Sequence, residues 1–110
     1  MYIILWEFVV EAGAEAEFRV RYGAGGDWAR LFAHSPEYLG TELLQSAEEP
    51  ARYLTIDRWT SETAFQEFLC NQRAPYQELD ARCERLTRSE RRLGAYRAAA
   101  DPSRSNSAGA

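Results

Sequence analysis

Tyr2-Ile3-Ile4-Leu5-Trp6-Glu7-Phe8-Val9-Val10 is a run in which only Glu7 is polar, and Glu11-Ala12-Gly13 closes it. β-Branched and aromatic side chains at this density, ended so soon by a turn residue, specify a strand rather than a short buried helix. The run is unusual in having two apolar sides. Tyr2, Ile4, Trp6 and Phe8 share one face of a pleated strand, while Ile3, Leu5 and Val9 share the other. Both faces call for burial.

Beyond the turn, Ala14, Phe18 and Tyr22 recur at the four-residue spacing of a helix. Gly23-Ala24-Gly25-Gly26 breaks that helix, since glycine costs about 1 kcal/mol per helical position. Asp27 is expected to cap a short second helix carrying Trp28, Leu31 and Phe32 on one face, which Ser35-Pro36 ends. Tyr38 to Ser46 and Arg52 to Trp59 read as two strands of a hairpin, joined by Ala47-Glu48-Glu49-Pro50-Ala51. Thr60-Ser61 begins a helix with Ala64, Phe65, Phe68 and Leu69 inward, and Glu62 complements its dipole. Pro75 suits the first turn of a further helix, in which Tyr76, Leu79, Cys83 and Leu86 form the apolar stripe. A last strand spans about Glu90 to Arg97.

Strand, helix, strand, strand, helix, strand is the split βαβ plan of a ferredoxin-like α+β fold. Its four-stranded antiparallel sheet carries both helical layers on one face. The other face is expected to hold Tyr2, Ile4, Trp6, Phe8, Tyr53 and Trp59, with Leu54 and Ile56 turned towards the helices. An apolar open face needs a cover, and a second copy of the same sheet supplies one, making a homodimeric α/β barrel.

With 110 residues the chain makes one domain, spanning 1–97, followed by a patternless Ala/Ser/Asn/Gly/Pro tail over 98–110 that is expected to be disordered. The net charge of −4 argues against a nucleic-acid partner, which demands a basic face. No stretch approaches the roughly 20 apolar residues of a membrane span, and the apolar opening lacks the basic flank of a signal peptide. A cytoplasmic protein is expected. Cys70 and Cys83 read as reduced thiols rather than a disulfide framework. One histidine and two cysteines match no metal-site spacing. Gly23-Ala24-Gly25-Gly26 follows a helix and is followed by no lysine, so it is no phosphate loop. Arg88, Arg91, Arg92 and Arg97, with Glu84 and Glu90 among them, read as a solvated edge that resists aggregation.

Three segments, Gly26-Asp27-Trp28-Ala29-Arg30-Leu31-Phe32, Ser35-Pro36-Glu37-Tyr38-Leu39-Gly40-Thr41-Glu42-Leu43-Leu44 and Tyr53-Leu54-Thr55-Ile56-Asp57-Arg58-Trp59-Thr60-Ser61, resemble the antibiotic biosynthesis monooxygenase family. So does the ending Leu86-Thr87-Arg88-Ser89-Glu90 with Leu93-Gly94. The resemblance implies the dimeric barrel and a cofactor-independent monooxygenase acting on an electron-rich aromatic such as a polyketide, anthrone or quinol. It also implies a substrate cavity between sheet and helices, lined by a tryptophan at the position of Trp59. The haem-degrading branch carries an asparagine on the first strand and a histidine on the second helix. This chain has Trp6 at the first position, and its single histidine, His34, falls in the loop after the first helical region.

Asp57 and Trp59 are the candidate catalytic residues, and Trp6, Phe8, Tyr53 and Thr55 the candidate substrate-binding ones. A carboxylate desolvated in an aromatic cavity gains basicity and can act as a general base. The alternatives are Asp57 paired with Arg58 or Arg52, and Trp6 and Trp59 packing a dimer core. A non-enzymatic dimeric ligand-binding or accessory protein is the alternative to the enzyme. Neither cofactor nor metal is expected. Deleting residues 98–110 is expected to move the thermal midpoint by no more than about 2 °C in a melting experiment.

Overall fold

Strand β1 (Tyr2–Val10) runs inside a four-stranded sheet of order β2-β3-β1-β4, between β3 (Arg52–Trp59) and β4 (Thr87–Arg97), with β2 (Tyr38–Gln45) on the far edge. The structure is a computed structural model that describes residues 1–99. The expectation of a disordered tail therefore lies outside the described residues, Ala98 and Ala99 apart. All three strand pairings are antiparallel. The fold is the ferredoxin-like α+β arrangement expected from the element order. Among the described residues no helix is long and apolar enough to cross a membrane.

Four helices, α1 (Glu15–Tyr22), α2 (Asp27–Phe32), α3 (Glu62–Asn71) and α4 (Arg73–Cys83), connect the strands, and a short 3₁₀ turn (Glu84–Leu86) leads into β4. Ser61 caps α3, its hydroxyl accepting from the Ala64 N–H at 3.1 Å. Asp27 does not cap α2, contrary to the expectation from the sequence. It is the first helical residue, and its carboxylate is taken by Arg21 at 2.6 Å and Arg30 at 2.9 Å. Gly26 holds the cap position instead, because a Cβ there would lie 2.3 Å from the Val20 carbonyl oxygen. The last strand starts at Thr87 rather than near Glu90, extended by its pairing with Val10.

The expected assignment of sheet faces is inverted. Tyr2, Ile4, Phe8, Tyr53 and Trp59 are buried beneath the helices, not on the open face. Phe8 packs edge-on against Phe18 and Tyr22 of α1, at centroid distances of 5.4 and 4.9 Å. Trp59 is enclosed by Phe32 of α2 and by Phe65 and Phe68 of α3. Ile3, Leu5, Val9, Leu54 and Ile56 alternate with these and lie half-buried on the opposite face. The physical reason is volume. The ring-bearing face has the larger side-chain volume to fill the space beneath the helices, with Ile4 and Val10 buried among the rings. Cys83 is buried and Cys70 exposed, both as free thiols.

Phe18 has no exposed surface and stacks on Tyr22 at 4.3 Å, whereas Val20, two residues on, is 68% exposed. Phe18→Ala is expected to cost about 3–5 kcal/mol in urea denaturation. Val20→Ala is expected to stay within about 0.5 kcal/mol.

Candidate active site

On the helix-covered face, Trp6 and Phe8 of β1, Thr55 and Asp57 of β3 and Thr41 of β2 floor a cleft. Tyr22, Trp28 and Phe32 from the first helical pair form one wall. Tyr76 and Asp80 of α4 form the other, and Glu90 of β4 completes the lining. The cleft encloses about 60 Å³ and opens through its mouth to solvent, so a ligand larger than a few waters must extend into that mouth. The antiparallel register assembles this floor: Trp6 lies opposite Thr55, Ile4 opposite Asp57, and Thr41 opposite Asp57 on the other side.

Asp57 is only 8% exposed. The Thr41 hydroxyl donates to its Oδ1 at 2.6 Å, and the Tyr38 hydroxyl lies 2.6 Å from the Thr41 Oγ1. With the Thr41 proton committed to the carboxylate, Tyr38 is the donor of that second bond. Neither arginine suggested as a partner reaches Asp57. Arg58 pairs with Glu42 at 2.7 Å, and Arg52 pairs with Glu7 and Glu49 at 2.8 and 2.7 Å, all from the opposite face of the sheet or its rim. Burial without a counter-ion pushes the Asp57 carboxyl up to about 6, against the opposing effect of the Thr41 hydrogen bond.

The same loss of solvent, reinforced by Asp80, Glu90 and Asp57, pushes the Tyr76 phenol up to about 12. Glu90 is likewise raised, by burial first and then by Asp80 and Glu84. The cleft is thus aromatic in its walls and acidic in its charge. His34 is exposed on the loop after α2, its Nδ1 3.0 Å from the Leu31 carbonyl oxygen, and does not line the cleft. The lining therefore offers no imidazole to a metalloporphyrin.

Of the six residues picked out from the sequence, Trp6, Phe8, Thr55 and Asp57 line the cleft, whereas Tyr53 and Trp59 do not. Tyr53 is buried under α1, its hydroxyl accepting from Arg19 Nε at 2.8 Å. Trp59 is wholly buried in the core, and its indole N–H has no acceptor among the described residues. Tyr22, Trp28, Phe32 and Tyr76 were read as helix core stripes, and only the packing shows that they also wall a cavity. Thr41 had a usable signal. With Ser46 and Arg52 closing the hairpin, counting back along both strands sets Thr41 opposite Asp57.

The family model described as antibiotic biosynthesis monooxygenase matches residues 1–73. No curated protein matches the chain in sequence. Among solved structures, a variant of SnoaB, a cofactor-independent oxygenase from Streptomyces nogalater, is 23% identical with a TM-score of 0.71. That match covers 92% of this chain and 95% of the other. A variant of MhuD bearing two manganese protoporphyrin IX per active site is 25% identical, with a TM-score of 0.68 over 92% of this chain and 97% of that one. A Bordetella bronchiseptica protein bearing the same family description is 19% identical, with a TM-score of 0.68 over 90% and 97%.

The Asp57 carboxyl titrates near 6 in the fold and near 3.8 when unfolded, so the native state holds its proton more tightly. Stability contributed by this group is present below pH 4 and is lost as pH rises through 6, by about 2–3 kcal/mol. Asp57→Asn lacks that loss. Urea denaturation is expected to show the variant gaining on the parent protein between pH 4 and 7.5, and a constant difference would contradict it.

Proposed function

The chain belongs to the antibiotic biosynthesis monooxygenase family, and on that premise we propose that its cleft binds a small electron-rich aromatic compound and oxygenates it without a cofactor. The observation that carries this reading is Asp57: a carboxylate in an aromatic cleft, free of any arginine, with basicity raised towards neutrality. A base of this strength is matched to removing a proton from a phenol or from a carbon flanked by aromatic rings.

The steps follow from the charge. Asp57 takes the proton, and the substrate anion transfers an electron to O₂. The resulting radical pair combines into a substrate peroxide anion, which takes the proton back from Asp57 and becomes the hydroperoxide. Loss of water from the hydroperoxide, with the hydrogen left on the same carbon, leaves one oxygen atom in the product as a carbonyl and releases the other as water. Trp6, Phe8, Trp28 and Phe32 keep the anion away from bulk solvent until oxygen arrives. Thr41, with Tyr38 behind it, orients the carboxylate so that its other oxygen is left for substrate. Trp59 and Tyr53 act from the core, setting β3 against the helices, rather than by touching substrate.

The same reading includes a homodimer. Ile3, Leu5, Val9, Leu54 and Ile56 make an apolar strip on the face away from the helices, and Leu44 beside it is 43% exposed. Glu7 within the strip is neutralised by Arg52 and Arg91 at 2.8 and 3.2 Å. A second sheet laid across this face buries the strip without stranding a charge. Static light scattering is expected to give twice the 12.6 kDa chain mass, and Ile56→Arg to give the single mass.

For the chemistry, Asp57→Asn is expected to lower oxygen uptake with a dithranol-type anthrone by about 10²–10⁴-fold while the fold is retained. Full activity in that variant ends the general-base assignment. Binding of the anthrone by the parent protein with no oxygen uptake would instead favour the non-enzymatic ligand-binding reading.

A further inference from the structure

Three carboxylates from three separate elements reach the cleft: Asp57 from β3, Asp80 from α4 and Glu90 from β4. No arginine lines it. Among the described residues none of the three forms an ion pair. Among the ion-paired arginines, Arg21 holds Glu17 and Asp27, Arg85 holds Glu17, and Arg97 holds Glu62. Arg92 lies two residues from Glu90 on β4, yet it is exposed and stays outside the cleft. Burial first, and then Asp80 and Glu84, raises Glu90, while burial first, and then Asp80, Glu90 and Asp57, raises Tyr76, so the carboxylates act on one another across the cleft.

A further feature shows what the cleft still lacks. Asp57 is more than nine-tenths buried and forms part of the cleft lining, yet Thr41 is the donor to one carboxylate oxygen only. Charge and wall chemistry agree on the complement. Aromatic rings attract a cation through their quadrupoles, and Trp6, Trp28 and Tyr76 line the cleft with the carboxylates.

We infer that the cleft selects an aromatic substrate that carries a cationic amine, with the ammonium group held by Asp80 and Glu90 and the acidic hydroxyl or carbon presented to Asp57. This rests on the reading of the cleft as the substrate site and specifies its substrate class. The amine has a second effect. Once Asp57 has taken the proton, the substrate is a zwitterion rather than a bare anion, so the acidic cleft does not repel it.

Calorimetric titration with three phenols of nearly equal shape tests the inference: tyramine, neutral 4-ethylphenol and anionic 3-(4-hydroxyphenyl)propionate. At about 20 mM salt and neutral pH, where charges are weakly screened, tyramine is expected to bind most tightly and the acid most weakly. Two partly solvated pairs, each a factor of about two to five, give roughly a tenfold span between the amine and the acid. Asp80→Asn combined with Glu90→Gln is expected to collapse the span, and both side chains are exposed, so the fold tolerates the change. About 0.5 M salt is expected to shrink the span in the parent protein as well. Equal affinities, the reverse order, no tyramine binding up to about 5 mM, or a span unchanged in the double variant would each overturn the inference. Oxygen uptake plays no part in the titration. A protein that prefers tyramine but oxidises nothing would sink the oxygenase reading alone, and an active oxygenase indifferent to ligand charge would sink this one alone.

Discussion

Ile4 faces Asp57 across β1 and β3, and on that register the remaining architecture depends. In a pleated sheet a shift of one residue exchanges every side chain between faces. The register observed sends Phe8, Tyr53 and Trp59 up into the helical layer and takes Asp57 and Thr55 with them. It leaves Ile3, Leu5, Leu54 and Ile56 below. The aromatic core and the acidic cleft are therefore one face of one sheet. Neither can be moved without the other.

That shared face carries a cost. Burying Asp57 among rings without a counter-ion disfavours the charged form, and the fold accepts this while the aromatic core on the same face supplies the packing. Thr41 softens the penalty through its hydrogen bond and does not remove it. A group held at such expense in a cavity, rather than at a surface, is the usual mark of a site kept for chemistry.

The arginines show the complementary half of the design. Arg52 and Arg91 gather at Glu7 on the open face, Arg58 at Glu42, and Arg21 and Arg30 at Asp27. Each neutralises a carboxylate away from the cleft, and none lines it. This partition is what gives the cleft a negative field within a protein whose net charge is only −4. Composition is blind to it, because it concerns which side of a sheet each charge occupies.

Element order was readable directly from the chain, because Gly23-Ala24-Gly25-Gly26, Ser35-Pro36, Ser61 and Pro75 punctuate it and helix and strand periods alternate between them. Periodicity also brought together Trp6, Phe8, Thr55 and Asp57 as one set. What it could not do was orient that set. Both faces of β1 are apolar, so alternation carries no sign, and the faces were exchanged in the reading from sequence. The sign came from tertiary packing, which buries the bulkier, ring-bearing face under the helices together with Ile4 and Val10. Packing likewise separated Trp59 and Tyr53, sealed in the core, from the neighbours that share their parity and open into the cleft. It also brought Asp80 and Glu90, distant in sequence and unremarkable on exposed positions, to the cavity that Asp57 floors. The order of elements is a local property of the chain. Which face is inside, and which acids meet there, depends on volumes and distances that exist only once helices and sheet are in contact.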